Sequence, residues 1–196
     1  MMFELHVTVN SFEVDRWSKL CEKMEMKPIL IFLTKGKHPV QLMCTKNFPS
    51  SAKEVNLIVE EIKREVKENG FGITRIKLEG ALNEKMNDVS FEITNSVPVY
   101  TECHTKIKIP SSKRWQVLEI EKHTGLYASR SMLNSDENNE KWFLSNRKYS
   151  DLEFSKQQYV EEFRKIKKQF PDALMEMECV FIDTNPDIDS GWIEAK

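Results

Sequence analysis

The spacing of apolar residues most constrains this chain, because it predicts the same six elements twice in the same order. Residues 3–79 predict strand, helix, strand, strand, helix, strand, and residues 100–182 predict that order again. In the first predicted strand, apolar residues alternate with polar ones, as in a half-buried strand. The predicted helices carry apolar residues at the i, i+3, i+4, i+7 spacing of one buried face.

Direct matches in sequence accompany the matching patterns. The matched pairs are 4–9 with 102–107, Trp17 with Trp115, and 59–64 with 160–165. The first two pairs share an offset of 98 residues and the third has an offset of 101, so a three-residue insertion in the polar loop 134–140 explains the change. We interpret the chain as an internal duplication.

The predicted fold follows from this element order. A β-α-β-β-α-β unit is typical of the ferredoxin-like fold, an antiparallel sheet with both helices on one face. We therefore expect an α+β protein built from two such units, whose two antiparallel sheets face each other around a cleft. The predicted boundaries are a first unit at 1–80, a linker at 81–98 with an extra strand at 89–93, a second unit at 99–183, and a solvated acidic tail at 184–196.

Composition narrows the class of protein. With 196 residues, of which 40% are apolar, the chain can bury one or two cores without disulfides. Its four cysteines form no C-x-x-C pair, which favours reduced core thiols and a cytoplasmic protein. Twenty-nine cationic against 31 anionic side chains exclude a basic nucleic-acid coat, so duplex DNA is not an expected partner. The longest apolar run, 29–33, predicts no membrane span, and the N-terminus does not resemble a signal peptide.

Strand alternation places one histidine of each unit on the face away from the helices. In the first strand Glu4, His6 and Thr8 share that face, and in the matching strand of the second unit Glu102, His104, Lys106 and Lys108 share it. If the two faces meet across the cleft, the two imidazoles lie opposite each other. Further cations follow on nearby predicted strands. They are Lys46, Arg75, Lys77, Arg147 and Lys148. Such a face predicts a local anion site.

The segment His6-Val7-Thr8-Val9 resembles the H-x-[ST]-x signature of the two-histidine phosphoesterases, which include RNA 2′,3′-cyclic phosphodiesterases and RNA ligase-like proteins. Members of that superfamily are duplicated, bilobal α+β proteins in which each lobe contributes one such strand to a central cleft. The second motif departs from the signature. It reads His104-Thr105-Lys106, which puts the hydroxyl one place early and points it away from the histidine.

The resemblance implies an enzyme that cleaves a phosphodiester in a small nucleotide or an RNA end, without metal or cofactor. His6 and His104 would be the general acid and base, since imidazoles titrate near neutrality. The expected phosphoryl ligands are Thr8 and Lys106, with help from Lys46 or Arg147. Glu4 and Glu102 would orient the substrate.

Two other functions stay open. The first is a non-catalytic module that binds a nucleotide or a protein on the open face of the sheet. The second is a metal-dependent enzyme similar to glyoxalases, in which paired His and Glu residues on strands hold Zn²⁺ or Mn²⁺. The strong helices predicted at 51–68 and 152–169 have no place in that family's β-α-β-β-β module. The oligomeric state is left open.

Overall fold

The structure, a computed structural model, describes residues 2–49, 52–81, 99–133, 135 and 138–193. Residues 82–98 of the predicted linker, with its extra strand at 89–93, and part of the loop 134–140 lie outside the described residues. The element order within the described residues is β-α-β-β-α-β followed by the same six elements, with a 3-10 turn before the third helix and another after the last strand. The predicted order of elements is therefore confirmed.

The described residues form eight strands, four helices and two 3-10 turns. The strands are β1 Met2–Val9, β2 Lys27–Leu33, β3 Val40–Pro49, β4 Ile73–Ala81, β5 Tyr100–Pro110, β6 Tyr127–Ser131, β7 Asn139–Lys148 and β8 Leu174–Asp183. The helices are α1 Val14–Lys23, α2 Ala52–Glu68, α3 Arg114–Thr124 and α4 Leu152–Gln169. The 3-10 turns are Ser111–Lys113 and Pro186–Asp189.

The predicted fold class was wrong. The eight strands form one closed barrel in the order β1-β3-β2-β6-β7-β5-β8-β4, not two ferredoxin-like sheets around a cleft. Strand β2 pairs with β6 through Ile31 with Ser131 and Leu33 with Ser129, so β2 and β6 are not edge strands. Pairing at such edges satisfies backbone groups that open sheets would expose, which is why closure is favoured.

The match of Trp17 with Trp115, on which the duplication partly depended, does not survive in the structure. Trp17 is completely buried on α1, where its indole donates a hydrogen bond to the Met43 carbonyl at 2.9 Å. Trp115 is 61% exposed on α3, and the buried position there is Val117. We therefore correct the interpretation: a shared residue type does not mark equivalent helix faces here.

Two compact units divide the chain. The first comprises Met1–Leu30, Gln41–Val99 and Cys179–Ile188, and the second comprises Ile31–Val40, Tyr100–Glu178 and Asp189–Lys196. Each unit thus takes segments from both halves of the sequence. The predicted domain boundaries stay a prediction.

The segment predicted as a solvated acidic tail is packed over its described part. Trp192 and Ile193 are 7% and 2% exposed, and Asp189 is 2% exposed. The Trp192 indole donates to the Ala128 carbonyl at 3.0 Å. Gly36 lies under this contact with a φ of +110°, where a Cβ atom would be 3.1 Å from Trp192 Cβ. The prediction of a solvated tail rested on the acidic residues of this segment. It overlooked Trp192 and Ile193, which are buried.

The four cysteines are buried and free, as the sequence predicted. Within the described residues, no helix combines the length and the apolar character that crossing a bilayer requires.

Candidate functional site

Strands β1 and β5 carry the two predicted histidines with the alternation that the sequence indicated. Phe3, Leu5, Val7 and Val9 of β1 are at most 5% exposed, so their face is the packed one. In β5, Cys103, Thr105, Ile107 and Ile109 are buried in the same way. The polar residues between them therefore share the opposite face of each strand.

In the first unit, His6 lies between two carboxylates. Its Nε2 is 2.8 Å from Oε2 of Glu79 on β4 and 3.5 Å from Oε1 of Glu4. The Glu79 side chain is only 1% exposed, whereas His6 is 19% exposed. Thr45, the cross-strand neighbour of His6 on β3, donates its hydroxyl to Glu4 at 2.6 Å. This arrangement is a hydrogen-bonded histidine-carboxylate pair with a second carboxylate beside it.

The cations on β4 are paired within the first unit. Arg75 donates through Nε and Nη2 to both oxygens of Asp183, at 2.9 and 2.7 Å. Lys77, the cross-strand neighbour of His6, forms an ion pair with Glu79. Thr8 is opposite Arg75 in the register and is 3% exposed. Arg75 and Lys77, two cations that the sequence assigned to an anion site, are therefore already paired with carboxylates.

In the second unit, His104 also lies between two carboxylates, but at longer distances. Its Nε2 is 3.5 Å from Oε2 of Glu102 and 3.5 Å from Oε2 of Glu178 on β8. Its Nδ1 is hydrogen-bonded to the Ser145 hydroxyl at 2.8 Å. Ser145 is the cross-strand neighbour of His104 on β7 and is completely buried, so it fixes the imidazole ring.

Arg147 holds the other oxygen of Glu102. Its Nε donates to Glu102 Oε1 at 2.8 Å, and its Nη2 donates to Asp189 Oδ2 at 2.7 Å. The guanidinium also lies 4.2 Å from the centre of the Tyr100 ring. Burial works to lower the pKa of Arg147, but the charge of Glu102, the largest opposing cause, raises it above its ordinary value. Arg147 therefore stays charged as the partner of two buried carboxylates.

The two remaining predicted cations are also paired. Lys106 forms an ion pair with Glu176 on β8. Lys46 is 3.6 Å from the Glu25 carboxylate, and its ammonium donates to the Met24 carbonyl at 3.2 Å. Both lysines are about one-third exposed, so these pairs are weaker than those of Arg147.

The cysteine next to His104 is not a nucleophile. Burial, together with nearby carboxylates, raises the pKa of Cys103 to about 12. Its thiol is therefore neutral at physiological pH, and a neutral thiol is a poor nucleophile.

Sequence reasoning missed the carboxylates on β4 and β8 that complete each cluster. These are Glu79, Glu176 and Glu178, which the structure places beside predicted residues. The sequence could have indicated that they share a face with neighbouring charged residues, because residues two apart on a strand lie on the same side. Glu79 follows Lys77 by two positions, and Glu178 follows Glu176 by two. Assigning them to a histidine, however, required the register of β4 against β1 and the place of β8 in the sheet.

Comparisons with known proteins do not assign the chain to a family. No protein family matches the chain, and no curated protein matches it. Among solved structures, the chain has a TM-score of 0.27 and 11% identity to a novel heme-binding protein from Thermus thermophilus, covering 91% of this chain and 90% of that one. Similarity at this level shows neither a shared fold nor a shared ligand. The resemblance to two-histidine phosphoesterases stays a prediction.

Proposed function

We propose that the protein is a non-catalytic binding module whose ligand presents a positive charge to the histidine-carboxylate clusters, rather than a phosphodiesterase. The observation that carries the proposal is the pairing of the predicted phosphate-binding cations. Lys46, Lys106 and Arg147 each lie within ion-pair distance of a carboxylate. A phosphoryl group would have to displace a carboxylate to reach each of these cations.

The carboxylates beside the histidines also disfavour the binding of a phosphate. Two like unit charges 4 Å apart repel each other by about 4 kcal/mol at an effective dielectric constant near 20. A phosphate next to His104 would meet this repulsion from both Glu102 and Glu178, which are 3.5 Å from the imidazole. The same electrostatics attract a cation. The polarity around His104 is therefore the opposite of the predicted anion site.

Nε2 of His6 is directed at a buried carboxylate. Its Nε2 is already engaged with Glu79 at 2.8 Å, and Glu79 is itself buried and paired with Lys77. A general acid or base must reach the reacting oxygen through a nitrogen that can exchange its proton with the substrate. Nε2 of His6 therefore positions the ring against Glu79 and does not itself exchange a proton with a bound substrate.

The test compares the binding of a cationic probe and of a nucleotide to the 196-residue chain. We expect spermidine to raise the melting temperature, because a ligand that binds only the folded state stabilises it by mass action. We expect Glu178→Gln to remove most of that increase and Glu119→Gln to retain it, since Glu119 is 52% exposed on α3. A 2′,3′-cyclic nucleotide should be neither bound nor hydrolysed.

The proposal is contradicted if the protein hydrolyses the cyclic nucleotide and His6→Ala and His104→Ala each reduce the rate at least about 100-fold, as removal of a general acid or base would. It is also contradicted if the nucleotide, and not spermidine, raises the melting temperature. Far-ultraviolet circular dichroism of each variant establishes that its fold is intact.

A further inference from the structure

Two cysteines and one methionine of the first unit bring their sulfur atoms together in its core. Cys21 lies on α1 and Cys44 on β3, and both side chains are completely buried. The Cys44 thiol is in hydrogen-bond contact with the Cys21 side chain and with Sδ of Met26, the latter at 3.6 Å. Met26 is 5% exposed. Cys44 therefore contacts both of the other sulfur-bearing side chains.

The backbone between α1 and β2 fixes the place of Met26. After α1 ends, Glu25 adopts a positive φ of 54°, which is an uncommon conformation for a residue other than glycine. The chain turns back there, and the Met26 amide donates a hydrogen bond to the Cys21 carbonyl at 2.8 Å. The turn therefore anchors Met26 on the residue whose thiol meets Cys44.

A surface groove of about 640 Å³ reaches Met26 from outside. Its lining consists of Asp15, Ser18, Lys19, Glu22, Met26 and Pro28. Two carboxylates against one ammonium make this groove more favourable for a cation than for an anion. The two cysteines do not belong to the lining, so an ion that enters the groove meets the Met26 thioether first. The unbranched methionine side chain adapts readily, which gives a small ion a path to the thiols.

Three sulfur atoms select a soft metal ion. Thiolate and thioether ligands favour Cu⁺, whereas Zn²⁺ is bound by thiolate, imidazole and carboxylate groups. Metal–sulfur bonds of about 2.3 Å, the length found for zinc thiolates, put three sulfur atoms around one ion about 4 Å apart. The separation of 3.6 Å between Cys44 Sγ and Met26 Sδ is close to this value, so a small side-chain shift opens the space for an ion.

The Cys44 thiol is neutral before an ion binds. The hydrogen bond with Cys21, the largest cause, and burial raise the pKa of Cys44 far above its ordinary value. Disulfide formation is disfavoured for this thiol, because the attacking species is a thiolate. A metal ion can replace the proton directly: the proton passes to solvent, a metal–sulfur bond forms, and no electron is transferred.

We infer that Cys21, Cys44 and Met26 form a binding site for Cu⁺, with two thiolates and one thioether as its ligands. The site does not depend on the proposed function. Cys44 lies opposite Val7, on the packed face of β1, whereas His6 and its carboxylates lie on the polar face. The two sites can therefore be tested separately.

The test offers Cu⁺ to the reduced 196-residue chain under nitrogen as its bicinchoninate complex, which loses its colour when the protein takes the ion. We expect uptake of one ion per chain, with proton release in a weakly buffered solution. Cys21→Ala and Cys44→Ala should each weaken Cu⁺ binding at least about 100-fold, since loss of even a second-shell group weakens metal sites about 10- to 100-fold. Met26→Leu, which keeps the apolar volume, should weaken it at least about tenfold.

Cys103→Ala and Met43→Leu are the matched controls. Cys103 is a buried free cysteine of the second unit, and Met43 is a buried methionine next to Cys44 in sequence. Both variants should take up Cu⁺ like the unmodified protein. Circular dichroism checks the fold of each variant, and Cys44→Val replaces Cys44→Ala if the alanine variant does not fold. The site would be overturned by a lack of uptake, by uptake that persists in both Cys21→Ala and Cys44→Ala, or by an equal loss in the controls.

Discussion

Glu140 on β7 is a buried carboxylate whose pKa is set by its hydrogen-bond partners. Its side chain is 4% exposed and accepts hydrogen bonds from Arg130 at 2.6 Å and from the Trp142 indole at 2.9 Å. Arg114 pairs with both of its oxygens. The hydrogen bonds from Arg114, the largest cause, lower the pKa of Glu140 from 4.5 to about 2 despite its burial.

Acid stability should depend on Glu140. Because its pKa is lower in the folded protein than in the unfolded chain, its contribution to stability is fully present above about pH 4.5 and is lost as the pH falls towards 2. Glu140→Gln should therefore flatten the dependence of unfolding free energy on pH in this window. Urea denaturation at a series of pH values measures it.

Glu60→Gln is the control for that measurement. Glu60 is 70% exposed and pairs with Lys63 in the adjacent turn of α2, where an ion pair contributes little. Its variant should keep the slope of the unmodified protein. An unchanged slope in Glu140→Gln would show that Glu140 titrates alike in the folded and unfolded chains.

The site was only half predictable at the scale of residues. The polar face on which His6 and His104 lie was predicted, because a period of two assigns each strand residue to a face. Their carboxylate partners Glu79 and Glu178 lie on strands 73 and 74 residues away in sequence. Only the pairing register decides which carboxylate meets which histidine, and no local pattern encodes that register. Because the register was unknown, the sequence could not show that the expected phosphate ligands Lys46, Lys106 and Arg147 are ion-paired with carboxylates.

At the scale of elements, the helices were well predicted because each depends on local spacing. Helix α4 begins at Leu152 after Asp151, whose carboxylate caps it by accepting hydrogen bonds from two backbone amides at 2.9 and 3.3 Å. The match between α1 and α3 failed because identity at one position does not fix the buried face. Trp17 packs edge-on against Phe71 at 5.0 Å, whereas Trp115 faces solvent.

The two tryptophans should therefore differ in their effect on stability. Trp17→Ala should lower the unfolding free energy by about 3–5 kcal/mol, since it removes a fully buried ring and leaves a cavity. Trp115→Ala should change it by no more than about 0.5 kcal/mol, because its side chain is mostly exposed. Denaturant unfolding of both variants makes the comparison. Equal losses would support the equivalence that the sequence match suggested.

At the scale of the whole molecule, the two compact units each combine segments from distant parts of the chain. The first unit uses Cys179–Ile188, where Phe181 packs against Phe3 with ring centres 6.0 Å apart. The second unit uses Ile31–Val40, where Leu33 is completely buried with Trp192. A cut in the middle of the sequence therefore removes part of both cores.

Neither half of the chain should fold by itself. A chain of residues 1–98 lacks Asp183, which pairs with buried Arg75, and breaking a buried ion pair by removing one partner costs about 3–5 kcal/mol. A chain of residues 99–196 lacks Leu33. We expect both fragments to unfold in urea over a broad range and without cooperativity, whereas the 196-residue chain should unfold in one sharp transition. Circular dichroism monitors the unfolding of each. A cooperative transition in either fragment would show that its half is an independent domain.

The sequence by itself determined the kinds and order of the elements, the packed face of β1 and β5, and the burial of the cysteines, because each depends on the spacing of nearby residues. It placed His6 and His104 on polar faces for the same reason. Only the tertiary structure decided that the strands close into a barrel, that Trp17 and Trp115 are not equivalent, and that the predicted anion ligands pair with carboxylates. These outcomes depend on strand order and register, which are set by contacts between residues far apart in the chain.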